Sequence, residues 1–325
     1  EAAAEPGVHP RLFDLCLQSA ALWPAFAAEL TARSGGPVGF DPSASLAVAP
    51  DSRQAARLER IRNVLSARGI AHAVLDGEAL RALEPALSPS IPGGLELPTD
   101  MRVHNRTLVG ALLGVLRGAP NVRFEARPAP LRCEGGHPVL ARHDAILAAA
   151  GWQTPGIRVE LNGQFCSLVN WDAALGAIDC HSGQMLAVRA GPGTPQRVVR
   201  SGHVYLVPRG EQVVIGATTE PGRVLEAPEP EAIAGLKAEA ARLCPGLAAA
   251  ETLESWAGVR PGTPDHAPFL GKTAMPGLFV AAGHYRNGIL LAPVTAQILA
   301  DQILGAGADE LAAGFSPGRA FAATA

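Results

Sequence analysis

Several residue types are scarce in this sequence, and each scarcity narrows what the chain can be. Of its 27 Lys and Arg residues only Lys237 and Lys272 are lysine, so arginine supplies almost all the positive charge, and an arginine is informative only through its neighbourhood. Tyrosine occurs twice, as Tyr205 and Tyr285, within an aromatic content of 5%. The five cysteines (Cys16, Cys133, Cys166, Cys180, Cys244) are odd in number, widely spaced and free of any C-x-x-C pair. That pattern argues against a disulfide framework or a zinc site and fits a reducing cytoplasm. No stretch of 18 apolar residues lacks charge or proline, which leaves no transmembrane helix and no membrane partner to expect. The opening residues 1–7 carry no basic segment followed by an apolar core, as a signal peptide would. A net charge of −3 without blocks of like charge offers no basic field for a nucleic acid. His203, His266 and His284 do not stand at metal-ligand spacing, and no Ser/His/Asp constellation is evident; these histidines read as structural or as supports behind the residues that touch a ligand.

What remains is a chain of 325 residues, 48% apolar, long enough for two domains and a sizeable core. Apolar residues at helical spacing predict helices over 11–30, with a kink or break near Pro24, and over 52–68, ended by Gly69. Further helices are expected over 78–83, 107–116, 228–243 and 289–304, and short extended segments over 40–49. A turn is expected at Glu134-Gly135-Gly136. The apolar run 145–150, ended by Gly151, suits a buried parallel strand whose end faces a ligand. Closely spaced β-signals at 184–188, 197–200, 203–207 and 212–218 predict an antiparallel sheet, and 278–282 a further strand. Helix and strand alternate at both ends, with an antiparallel block between them. This implies an α/β (α+β) chain in which a Rossmann-like domain is interleaved with an antiparallel-sheet domain.

Three segments carry the candidate chemistry. In 278–293 a buried strand runs into the glycine-bracketed turn Gly283-His284-Tyr285-Arg286-Asn287-Gly288 and then a helix. Such a junction points backbone N–H groups at whatever lies above the sheet edge, although a tight connection needing two glycines would read the same way. In 255–271 Arg260 stands directly before Pro261, which holds it extended. A stiff guanidinium can clamp a carboxylate with two parallel hydrogen bonds, or can pair with a nearby Asp or Glu for structural reasons. In 203–209 strand alternation puts Tyr205 on one face with His203 and Val207, where it is either a ligand contact or a half-buried core tyrosine.

Taken together, Gly-His-Tyr-Arg-Asn-Gly-Ile-Leu-Leu-Ala-Pro (283–293) and Trp-Ala-Gly-Val-Arg-Pro-Gly-Thr-Pro-Asp (256–265) resemble two signatures of the glycine oxidases of the thiamine pathway, within the D-amino-acid oxidase and sarcosine oxidase superfamily. Weaker matches at 84–88, 148–152, 183–187 and 214–218 extend the resemblance over nearly the whole chain. It implies FAD as cofactor, a small amino acid or amine as substrate, molecular oxygen as acceptor and a homo-oligomer. By the same resemblance Arg260 would bind the substrate carboxylate, Tyr205 would hydrogen-bond it from the other side, and Arg286 would lie at the flavin and substrate end of the pocket. Gly283, His284, Tyr285, Arg286, Asn287, Gly288, Ile289 and Leu290 would contact the flavin, and Ala150, Gly151 and Trp152 would form a second cofactor-contacting turn. The implied division is an FAD-binding domain at 1–38, 100–156 and 264–325 and a substrate domain at 39–99 and 157–263.

The family opens with a βαβ unit carrying G-x-G-x-x-G; no such motif occurs here, so the first βαβ unit of the FAD-binding domain is expected to be absent. Residues 157–180 and His104-Asn105-Arg106 also depart from the family pattern. The resemblance leaves open a quinone-linked D-amino-acid dehydrogenase and a non-catalytic paralogue that does not hold FAD.

Overall fold

The computed structural model describes residues 7–126, 131–134, 137–138, 143–307, 310–319 and 321. The turn expected at 134–136 and the opening residues 1–6 fall wholly or partly outside these. Helix α1 (Leu12–Ser34) is followed by strands β1 (Phe40–Asp41) and β2 (Ser45–Val48), helix α2 (Ser52–Ala67), strand β3 (Ala73–Asp76) and helix α3 (Gly77–Leu83). Strands β4 (Gly93–Leu97) and β5 (Arg102–Val103) lead to helix α4 (Asn105–Gly118), then β6 (Leu131–Glu134), β7 (His137–Pro138) and β8 (Ile146–Ala148). A 3-10 segment, Gly151–Gly156, precedes the hairpin β9 (Arg158–Leu161) and β10 (Gln164–Ser167). The antiparallel block comprises β11 (Asp179–Arg189), β12 (Val198–Ser201), β13 (Val204–Arg209), β14 (Gln212–Gly216) and β15 (Glu220–Pro221), and is followed by helix α5 (Pro230–Leu243). The chain closes with β16 (Thr252–Gly262), β17 (Phe269–Lys272), β18 (Leu278–Ala282), α6 (Ala292–Leu304) and α7 (Glu310–Ala313).

Local chemistry accounts for many of these boundaries. Asp51 and Asp76 each accept a backbone N–H at 2.8 Å and so cap α2 and α3, and the His104 ring caps α4 from Thr107 N at 3.1 Å. Gly35 (φ 74°) and Gly305 (φ 72°) end α1 and α6 in the left-handed conformation that costs glycine little. The helix expected from 289 begins at Ala292, because Pro293 suits a first helical turn and residues 288–291 form a separate turn ahead of it. Helix α1 runs unbroken through Pro24: Trp23 and Ala27 are buried on its inner face, and their packing outweighs the one backbone bond a proline removes.

Among the described residues the strands form four sheets. The largest has nine strands in the order β15-β11-β14-β13-β12-β2-β4-β3, with β16 on the free side of β11. All its pairings are antiparallel except β12 with β2. Leu186, Val188, Val204, Leu206, Val213 and Ile215 share one face and bury against Leu236, Ala240 and Leu243 of α5. Period-2 alternation therefore turns Tyr205 and Val207 to the opposite face. Strands β3 and β4 lie where the sequence signals no strand. Their residues Ala73–Asp76 and Gly93–Leu97 lack a clear alternation, and Gly94 owes its place to β2, since a Cβ there would meet the Ala47 carbonyl.

A second sheet, β17-β18-β8, pairs β18 with β8 in parallel and with β17 antiparallel. Helices α1 and α6 pack together beside it, with Leu12, Leu15, Leu270, Val294 and Ile298 in one core. Residues 158–178 join this part of the molecule. Strand β9 pairs with β6, and Val159, Leu168, Leu175 and Ile178 share a core with Phe269, Leu278 and Val280. The remaining pair, β1 and β5, is a two-residue ladder.

Candidate active site

Strand β16 pairs along its length with β11, which sets Arg260 opposite His181 and Pro261 opposite Cys180. The Arg260 side chain lies over Gly183, where any Cβ would collide with the guanidinium. Its Nη1 donates to the carbonyls of Ser182 (3.3 Å) and Thr218 (3.2 Å). Among the described residues it makes no ion pair, so the carboxylate expected of a purely structural arginine is not there. Burial draws the Arg260 pKa below the usual arginine value, Arg286 adds to the fall and the Tyr205 side chain opposes it. A desolvated cation whose Nε and Nη2 donors have no hydrogen-bond partner among the described residues is suited to receive an anion.

Tyr205 sits on β13 directly opposite Gly216, where a Cβ would stand 2.5 Å from the phenol ring; glycine makes room for the ring. Its hydroxyl lies 3.5 Å from Met185 Sδ. Burial raises the phenol pKa, and the nearby Arg260 and Arg286 guanidiniums act against that rise. The hydroxyl is therefore protonated at neutral pH; its one proton is donated to the weak acceptor Met185 Sδ and can turn to a stronger one.

The 283–291 turn closes on the same place. Tyr285 N donates to the Pro261 carbonyl at 2.7 Å, one residue beyond Arg260. Gly283 (φ 76°) lets the chain leave β18, and a Cβ there would approach Thr263 Cγ2 to 2.7 Å. Tyr285 itself adopts φ 49°, and its ring lies edge-on to His181 (centroids 5.0 Å) and His266 (4.9 Å) around a cavity of about 230 Å³. Enclosure of its ring pushes the His284 pKa down to about 4, and the imidazole shares a 3.0 Å hydrogen bond with Thr295 Oγ1. On its far side the turn hangs from α1: the Leu290 carbonyl accepts from Ser19 Oγ (2.6 Å) and Trp23 Nε1 (2.9 Å).

Because β8 and β18 are parallel, the segments that follow them, Ala150-Gly151-Trp152 and Gly283–Leu290, emerge from the same sheet edge. Gly151 (φ 58°) starts the 3-10 segment, which packs against β16 and β18. Ala150 is exposed, whereas Gly151 and Trp152 are half-buried. The backbone N–H groups of Gly288, Ile289 and Leu290 make no hydrogen bond to any described residue. A row of such donors just ahead of a helix suits a polar ligand edge.

The structure thus brings Arg260, Tyr205 and the turn carrying Arg286 together, with Ala150, Gly151 and Trp152 at the same edge. Sequence reasoning missed Gly183 and Gly216, which clear space for the two side chains, and Met185, Ser19 and Trp23. The spacing of Ser19 and Trp23, one helical turn apart on α1, was the only signal for that pair.

The family model "DAO: FAD dependent oxidoreductase" matches residues 2–302. The bifunctional protein ThiO/ThiG of Synechocystis is 33% identical over 325 residues; the match takes in 95% of this chain and 45% of that protein, so the chain spans less than half of that relative. The glycine oxidase of Geobacillus kaustophilus is also 33% identical, over 90% of this chain and 78% of that enzyme. Among solved structures, the glycine oxidase of Bacillus cereus superposes with a TM-score of 0.81 at 27% identity, covering 93% of this chain and 83% of that one. The chain belongs to the DAO family of FAD-dependent oxidoreductases.

Proposed function

We propose that the chain oxidises glycine or another small amino acid or amine to an imine, releasing after hydrolysis a 2-oxo acid and ammonia, with molecular oxygen leaving as hydrogen peroxide, in service of thiamine synthesis. The observation that supports this best is the hydrogen bond from Tyr285 N to the Pro261 carbonyl, which keeps a half-buried guanidinium with open donors beside the turn that ends β18. The names of the relatives agree with it.

The residues present fit the flavin end of FAD: three N–H donors in a row at Gly288, Ile289 and Leu290, a glycine-opened strand end and a second strand end beside it. When bound, FAD supplies the two-electron acceptor. Arg260 would take the substrate carboxylate through Nε and Nη2, the donors that Ser182 and Thr218 leave open. The protonated Tyr205 hydroxyl would give one further bond to that carboxylate, and Arg286 would close the pocket. With the carboxylate fixed, the amine and α-carbon are held over the turn, and the hydride leaves the α-carbon as the nitrogen lone pair forms the C=N bond. Positioning supplies most of the catalysis, so no general base is required.

In this reading residues 1–38, 100–156 and 264–325 form the cofactor half and 39–99 with the nine-stranded sheet the substrate half. We place 158–178 with the cofactor half because its apolar side chains share a core with β18. The homo-oligomer is carried by the family resemblance.

The test is peroxide release and oxygen uptake by the chain supplied with FAD and glycine, sarcosine or a D-amino acid. Peroxide formed in proportion to amine consumed is expected. Reduction of an artificial dye without oxygen uptake would reject the oxidase in favour of a dehydrogenase.

A further inference from the structure

The molecule as a whole is acidic, with a net charge of −3, yet one cavity beside the candidate active site is strongly basic. It has a volume of about 430 Å³ and lies between the start of α2, the β12–β13 hairpin and the end of α5. Among the described residues its walls carry five guanidiniums, of Arg53, Arg57, Arg60, Arg242 and Arg286, against two carboxylates. Both carboxylates have local duties. Asp51 caps α2 by accepting from Gln54 N at 2.8 Å, and Glu239 lies 3.3 Å from His203 Nε2. Arg57 Nη1 also reaches the Gly202 carbonyl at 3.4 Å, which ties α2 to the hairpin and shapes the opening. Arg286 joins this cavity to the site, because it lines the cavity and acts electrostatically on both Arg260 and Tyr205.

We propose that this arginine-lined cavity is the mouth of the active site and a subsite for a second acidic group, so that the chain takes amino acids whose amine or side chain bears an additional carboxylate. The proposal rests on the carboxylate-clamp reading of Arg260 given above. One carboxylate would occupy Arg260, and the second would extend past Arg286 into the mouth. Arg53, Arg60 and Arg242 are exposed, so each contributes weakly and through solvent. Their combined field acts on a second negative charge more than on a first, and salt screens it.

Two ethers that cannot be oxidised as amines separate the parts of this reading. Methoxyacetate mimics sarcosine with one carboxylate; diglycolate has the same skeleton with a second. Binding of each to the full chain with FAD added is measured by calorimetry at low and at high salt, and again with the double variant Arg53→Gln and Arg60→Gln. Diglycolate is expected to bind about tenfold tighter than methoxyacetate at low salt, the sum of several exposed charge pairs, with the advantage shrinking in high salt and in the variant. Equal affinities at low salt, or an advantage untouched by both salt and variant, would overturn the mouth while leaving the clamp standing. Salt-sensitive binding of diglycolate without any binding of methoxyacetate would reject the clamp and with it the subsite for a second carboxylate, leaving the cavity as a separate anion site. Failure of both acids to bind would reject both.

Discussion

Replacing Arg260 by Met removes the guanidinium from its slot over Gly183 and leaves a flexible apolar side chain of similar length. In the ligand-free protein little is lost. Two hydrogen bonds, to the Ser182 and Thr218 carbonyls at 3.3 and 3.2 Å, disappear, but so does the cost of keeping a cation desolvated without a counter-charge. These effects oppose each other, so folding stability should move by no more than about 1 kcal/mol in either direction. With a carboxylate bound the balance differs, because Nε and Nη2 form charge-assisted hydrogen bonds only then. Their loss costs about 1.5–3 kcal/mol, which is about 10- to 150-fold in affinity at 1.4 kcal/mol per factor of ten. The assay pairs thermal unfolding with calorimetric titration of methoxyacetate, and with the KM for glycine once turnover is found. An affinity loss in that range at nearly constant unfolding temperature is the expected result. Unchanged affinity would refute the carboxylate role of Arg260, and a collapse of stability without an affinity change would make the residue structural.

Gly183→Ala puts a methyl group where the Arg260 guanidinium lies, so it should weaken methoxyacetate binding in the same direction as Arg260→Met; full affinity in this variant would show that the slot is not needed. Ser19→Ala removes one of two donors to the Leu290 carbonyl and should cost about 1 kcal/mol in urea unfolding, with Trp23→Phe doing the same through the other donor. Normal stability in both variants would mean that the turn does not depend on α1. The folded His284 pKa, about 4, lies below the unfolded value of 6.5, so between these the unfolded state binds more protons. The stability held by the neutral His284 ring is thus complete above pH 6.5 and is lost as the pH falls towards 4, by about 3 kcal/mol at most. Urea midpoints across this window should show that slope in the parent and lose it in His284→Gln; equal slopes would assign the pH dependence to another group.

Much of the local geometry of the candidate site was legible before the structure because the forces involved act over a few residues. A proline after Arg260 restricts that arginine's own backbone, and Gly283 announces the sharp exit from β18. Alternation along 203–207 turns Tyr205 away from the face that Val204 and Leu206 bury. The start of α6 was misplaced by three residues because the apolar residues 289–291 continue the helical spacing while forming a turn of their own. Strands β3 and β4 escaped because their pairing, rather than their composition, makes them strands.

The amino-acid sequence by itself determined the family, the extended arginine and the glycine-opened turn. Only the tertiary structure decided that β16 lies in register with β11, that Gly183 and Gly216 vacate the space Arg260 and Tyr205 fill, and that Ser19, 271 residues away, holds the carbonyl of Leu290. The reason is physical. Backbone preferences and caps are energies of neighbours along the chain and can be read from neighbours. A cross-strand register or a hydrogen bond between distant segments exists only once cores have packed and brought them together, and no local pattern encodes that meeting.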